Sequence, residues 1–196
     1  MWIDLVLADI IDGSKEVFRF RELLAEVVMA TIDTPDYILD KIFKIYQDFV
    51  ELVETMRPFT PGELTKFINT ELLKYSQQPF FPVLAGLYVN AMINKLFQQY
   101  DELEFDITDF CDVILNKAES ESTLADENAD FSEIVGFSLD YIGYLLPEHK
   151  KLKIRGAVGD FSGALMGDNS EYILYGMHGR YFGYEKHPTS KISVEG

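Results

Sequence analysis

Leu152-Lys153-Ile154-Arg155-Gly156-Ala157-Val158-Gly159-Asp160-Phe161-Ser162-Gly163 is answered twenty residues later. The second run is Tyr172-Ile173-Leu174-Tyr175-Gly176-Met177-His178-Gly179-Arg180-Tyr181-Phe182-Gly183. Gly156, Gly159 and Gly163 recur as Gly176, Gly179 and Gly183, and Gly196 opens a third copy. The apolar pairs Leu152/Ile154, Tyr172/Leu174 and Ile192/Val194 keep the same step, as does the aromatic pair Phe161/Tyr181. A fixed period near 20 in an alternating sequence predicts stacked structural repeats with one turn of chain per copy. Charge and apolar residues alternate through Lys151-Leu152-Lys153-Ile154-Arg155, as in a strand with one face inward. Glycines allow neighbouring turns to approach and supply positive φ at corners.

Upstream of residue 148 the pattern is helical. Thr34-Pro35-Asp36 offers an N-cap, a proline at the first helical position and an acid in the first turn. Ile38, Ile42, Ile45, Phe49 and Val53 follow at steps of three and four, and Arg57-Pro58 ends the segment. Thr60-Pro61-Gly62-Glu63 is a capping box ahead of Leu64, Phe67, Ile68 and Leu72. Pro82 opens a helix apolar on nearly every side until Lys95, the mark of a buried central helix. Further helices are predicted over 1–11, over 16–32 and from the cap Asp130-Phe131-Ser132-Glu133 to Pro147, on Ile134, Leu139, Ile142 and Leu145. The expected fold class is α+β: an acidic bundle of six or seven helices over 1–148, then a short right-handed parallel β-helix of two to three coils over 149–196.

The run from Ile154 to Met166 resembles the GXGXG repeat, an apolar pair, glycine, Gly-Asp-aromatic, then glycine and a small residue. That repeat builds the right-handed β-helix at the C-terminal end of the glutamate synthase large subunit and most of one subunit of the formylmethanofuran dehydrogenases. The second copy departs from it, with Arg180 where an acid stands and Tyr184-Glu185-Lys186-His187-Pro188 in place of the small turn. The resemblance covers about 45 residues, 152–196. It implies a structural and docking role and supplies no catalytic residue. Two coils and the start of a third bury little, so either the repeat continues beyond this sequence or its open edge is covered, by the helical domain on one side and a second copy on the other. Leu152, Ile154, Ile192 and Val194 are therefore candidate interface residues.

Net charge is −16 and uneven, with 10 Lys+Arg and 28 Asp+Glu over 1–148 against 7 and 5 over 149–196. Such a chain repels phosphate backbones and anionic bilayers, so neither nucleic acid nor membrane is an expected partner. Hydrophobic residues make up 47%, enough for a sizeable core. Cys111 is the only cysteine, and the N-terminal residues lack a signal peptide's features, which predicts a cytoplasmic protein.

Candidate chemistry is sparse. Asp126-Glu127-Asn128-Ala129-Asp130 begins like an EF-hand loop, but Phe131 replaces the required glycine and Phe137 the bidentate acid. Asp106, Asp109 and Asp112, at steps of three, read as a solvated helix face. His178, which replaces Val158 of the first copy, reads as a structural histidine, as do His149 and His187. Cys111 reads as a small buried hydrophobe. No phosphate-binding loop with lysine is present, and the glycines from Gly156 to Gly183 do not fit a dinucleotide fingerprint. No catalytic, cofactor or metal residue is assigned. The expectation is a non-catalytic assembly protein, a homodimer or the ligand of a protein partner through the repeat's edge. The rivals are an accessory subunit of a glutamate synthase-like or formylmethanofuran dehydrogenase-like enzyme, and a small-molecule site lined by Phe80, Phe81, Tyr88 and Tyr100.

Overall fold

A computed structural model describes residues 35–76, 80–121 and 138–195. Among them are four α-helices, α1 (Pro35–Glu54), α2 (Pro61–Lys66), α3 (Phe81–Leu96) and α4 (Thr108–Glu121). Four strands accompany them, β1 (Glu102–Asp106), β2 (Lys151–Arg155), β3 (Glu171–Tyr175) and β4 (Lys191–Glu195). The strands form one parallel sheet in the order β1-β2-β3-β4. This corrects the expected fold class. The chain has an α/β-type fold, not a bundle of six or seven helices followed by a β-helix. The expected helices over 1–11 and 16–32, the EF-hand-like run and Gly196 lie outside the described residues.

Two segments explain the correction. Glu102-Leu103-Glu104-Phe105-Asp106 belongs to the acidic stretch, yet it is β1, with Leu103 and Phe105 buried and the acids exposed. The second is 138–147, where the three-residue spacing of Leu139, Ile142 and Leu145 suggests the end of a helix. It is a chain of turns with left-handed backbone at Tyr141, Gly143 and Leu145. Buried residues three apart suit such a tight chain of turns as well as they suit a helix.

The turn segment 138–150 is repeated, turn for turn, by 158–170 and 178–190. Left-handed backbone recurs at Tyr141, Phe161 and Tyr181, at Gly143, Gly163 and Gly183, and at Leu145, Leu165 and Glu185. The three loops stack through backbone bonds. Tyr141 N–H donates to Asp160 O (2.9 Å) and Phe161 N–H to Arg180 O (2.9 Å). In the opposite direction Gly163 N–H donates to Ile142 O and Gly183 N–H to Ser162 O, both at 2.9 Å. Strand register follows the same step, Lys151 beside Glu171 beside Lys191. Glu102 pairs with Lys151, a step of 49, so 29 extra residues, including α4, are inserted after β1. Pro147, where a boundary was expected, falls inside the first of the stacked loops.

The helices cover the stack at its first loop. The capping box forms as expected, with Thr60 N–H donating to Glu63 Oε2 (2.8 Å) and Glu63 N–H to Thr60 Oγ1 (3.2 Å). Beyond α2 the chain continues through a π-turn, Phe67–Glu71, and a 3₁₀ turn, Leu72–Tyr75, which still bury Phe67, Ile68 and Leu72. Helix α3 is buried over most of its length, as its all-round apolar sequence predicts. It crosses 138–140 so closely that a Cβ on Gly86 would run into the Asp140 carbonyl. The fully buried Asn90 binds the same loop, donating Nδ2–H to Tyr144 O and accepting from Gly143 N–H, both at 2.8 Å. One hydrophobic cluster runs from Ile38 in α1 to Leu174 in β3.

Candidate functional site

The loops carry a column of charged residues, Asp140, Asp160 and Arg180, one per repeat. Asp140 Oδ1 accepts from Asp160 N–H at 2.8 Å. Asp160 Oδ1 accepts from Arg180 N–H at 2.7 Å, while its Oδ2 takes Arg180 Nε at 2.9 Å and Nη2 at 2.6 Å. Each aspartate therefore clasps the next loop, Asp140 through the Asp160 N–H and Asp160 through charge-assisted bonds to Arg180. Gly159 and Gly179 make room for the clasp, since a Cβ there would strike the Asp140 and Asp160 carboxylates. Burial first, and the Asp160 carboxylate second, push the Asp140 carboxyl well above the usual range. Asp140 Oδ1 and both Asp160 carboxylate oxygens are taken by backbone and guanidinium donors. A ring column stands beside it. Tyr141 and Phe161 stack at 5.5 Å, and Phe161 and Tyr181 at 4.6 Å.

The remaining candidates lie in different parts of the fold. Cys111 is 8% exposed, with Sγ accepting from Ala157 N–H (3.2 Å), and burial raises its thiol pKa. His178 is exposed, its Nδ1 2.9 Å from Gly179 O and its ring stacked on Phe182 at 4.3 Å. His187 Nδ1 lies 2.8 Å from Thr189 Oγ1 and 3.4 Å from Asp168 Oδ1. Asp106, Asp109 and Asp112 do not share one helix. Asp106 ends β1, where Oδ1 accepts from Thr108 N–H (3.1 Å) and Oγ1–H (2.6 Å), which together lower its pKa. No group of His, Cys, Asp or Glu suited to a metal ion occurs among the described residues. Three of the four aromatic candidates for a ligand site pack apart, and Phe80 is partly buried against the core. Tyr88 lies against Phe49 and Phe67, Phe81 stacks on Phe110, and Tyr100 is exposed. A void among Ile68, Ile93, Phe105 and Ile154 is apolar and too small for a water molecule. None of the described helices is long and apolar enough to cross a membrane.

The four interface candidates divide. Leu152 and Ile154 are buried in the sheet's core face, at 0% and 1% exposure. Ile192 and Val194 lie on β4, the last strand, where Val194 is 49% exposed. The repeat glycines lie at its turns and close approaches: Gly156 and Gly176 end β2 and β3, and a Cβ on Gly176 would strike the Gly156 carbonyl.

The two edges of the sheet differ. At β1, Asn69 Nδ2 donates to Asp106 O (2.8 Å), and α2 lies alongside. At β4 no described element covers the strand. Lys191 N–H donates to Ser170 O at 2.9 Å. By the two-residue alternation of a parallel ladder, residues 191, 193 and 195 bond back to β3, and Ile192 and Val194 turn their N–H and C=O groups outward.

No family model, curated protein or solved structure matches this chain.

The first loop, 138–150, escapes the reading of the repeat, although its signal is present. Asp140-Tyr141, Gly143 and Leu145 stand twenty residues before Asp160-Phe161, Gly163 and Leu165.

Proposed function

We propose that this chain is a non-catalytic assembly protein of the cytoplasm whose docking site is the open β4 edge. The observation that carries this reading is a strand whose outward backbone groups meet no other strand among the described residues and whose valine is half-exposed, beside an otherwise tightly clasped stack. Such an edge pairs readily with another strand, and main-chain bonds supply the affinity. The opposite edge is shielded by α2 and Asn69, so docking is one-sided. The Asp140–Asp160–Arg180 clasp and the ring column hold the end rigid, which lowers the entropic cost of docking.

The test uses Val194→Pro. Proline removes an outward N–H and leaves the ladder to β3 intact, because proline is tolerated on the solvent side of an edge strand. The expected result is an assembly, with itself or another protein, that sediments above the monomer and is lost in Val194→Pro at unchanged circular dichroism. Identical sedimentation of the two proteins, both purified and in lysate, would overturn the reading.

A further inference from the structure

Resting on the reading of β4 as the docking edge, we infer that its partner is the β4 strand of a second copy. The two strands run antiparallel about a two-fold axis at Ser193. Three features of Lys191-Ile192-Ser193-Val194-Glu195 converge on this register.

The first is hydrogen bonding. Antiparallel strands alternate hydrogen-bonded and non-hydrogen-bonded pairs. With Ser193 opposite its own copy, Ile192 lies opposite Val194, and both are the residues whose N–H and C=O groups face outward. Those residues form the hydrogen-bonded pairs on either side of the axis. A slip of one residue would set outward groups against inward ones.

The second is charge. In this register Lys191 faces the second copy's Glu195, and two-fold symmetry makes the pair twice. Both residues are exposed, and neither has an ion-pair partner among the described residues. The sheet already uses this device. On its solvent face Glu102, Lys151, Glu171 and Lys191 stand in one row of alternating sign, in which Lys151 pairs with Glu171, and the neighbouring pairs Lys153–Glu102 and Arg155–Glu104 also cross between strands. A glutamate beside Lys191 continues the row.

The third is the apolar face. Ile192 and Val194 share a side with Tyr172 and Leu174, both buried. Pairing Ile192 with Val194 of the second copy extends that face across the axis and covers the half-exposed valine.

The head-to-tail alternative, β4 against β1 of the next molecule, is disfavoured twice. In continued parallel register Lys191 would meet Glu102 but Glu195 would meet Asp106, so one attractive pair is offset by one like-charge pair where the antiparallel register makes two attractive pairs, and α2 with Asn69 stands against β1. A heterologous contact of that kind would also build open filaments.

The experiment is sedimentation of the full chain over a dilution series, for the native protein, Lys191→Glu, Glu195→Lys and the double reversal. The expected result is a native dimer weakened about tenfold or more by each single reversal, because two attractive pairs become repulsive. The double reversal restores the dimer, since the exchanged charges again face each other. In a second measurement Ser193→Cys forms a disulfide-linked dimer on mild oxidation. The paired Cα atoms of a non-hydrogen-bonded site, roughly 4.5 Å apart, lie within disulfide reach. Strengthened association in Glu195→Lys, with masses growing beyond a dimer, would indicate head-to-tail stacking and overturn the inference. Neutral charge reversals and no cross-link, with association still lost in Val194→Pro, would also overturn this register but leave the docking reading standing. A protein monomeric in isolation, yet held in a complex that Val194→Pro releases, would have the same two consequences.

Discussion

Loops 138–150 and 178–190 follow the same backbone path in different surroundings. In the first, Tyr141, Ile142, Tyr144 and Leu146 are buried, and α3 lies across it. In the third, the matching Tyr181, Phe182, Tyr184 and Lys186 are only partly buried, and Arg180 and Glu185 are exposed. Asp140 at one end and Arg180 at the other occupy the same station. The comparison separates two roles of sequence. Glycines and left-handed turn positions define the path, and the other side chains adapt each copy to what covers it.

The largest expected effect comes from unseating the first loop. Gly86→Ala drives a methyl into the Asp140 backbone, where neither helix nor loop can yield cheaply. A loss on the order of 3–5 kcal/mol in denaturant unfolding is expected. Gly62→Ala, with open space around it, serves as the control.

Next comes the ring column, tested at both ends. Tyr141→Ala empties a site 2% exposed and is expected to cost about 3–4 kcal/mol. Tyr181→Ala removes a half-open ring and is expected to cost roughly 1 kcal/mol. Equal losses at the two positions would mean that the third loop is covered as fully as the first.

Asn90→Ala strands Gly143 N–H in the core, leaves Tyr144 O only the 3.4 Å bond from Asn94 Nδ2, and is expected to cost about 2–3 kcal/mol. Arg180→Ala, at an ion pair whose arginine side chain is 61% exposed, is expected to cost under about 1 kcal/mol. Thermal melts of the two variants side by side measure the difference between the covered and open ends.

The smallest effect is a slope. The Asp140 carboxyl is raised in the folded state, so the native protein binds more protons than the unfolded chain above the ordinary aspartate range of about 4. Its contribution to stability therefore falls as pH rises from there through the folded pKa. Asp140→Asn keeps an oxygen acceptor for Asp160 N–H and removes the charge. The variant is expected to be more stable than the native protein at pH 7 and to lose that advantage near pH 4. Asp101, Asp106 and Asp168, whose pKa values are lowered, act in the opposite sense, so the difference between the two proteins is the quantity to measure.

Much was legible in particular residues. The proline, capping-box and apolar-spacing signals placed the starts of α2 and α3 and the buried stripe of α1, because caps and amphipathic spacing are local properties, while Thr34, the cap expected for α1, lies outside the described residues. The glycines from Gly156 to Gly183 and the twenty-residue step marked two neighbouring copies. The strand β1 and the loop 138–150 were not legible as their partners. The 29 extra residues inserted after β1 hide its register, and the acids that alternate with Leu103 and Phe105 disguised a half-buried strand as a solvated stretch. The interface candidates were split for a similar reason. Leu152 and Ile154 of β2 look alike in sequence to Ile192 and Val194 of β4, yet β2 has a strand on each side and β4 only on one.

The sequence by itself determined the helix starts, the period of the stack and the charge imbalance of the chain. These depend on residues a few positions apart or on a sum over all of them. The tertiary structure alone decided that β1 joins the sheet, that Gly86 and Asn90 serve the first loop, and that one edge is shielded while no described element covers the other. These rest on chain segments from 37 to 54 residues apart meeting in space, and no local spacing encodes which distant segment fills a given surface.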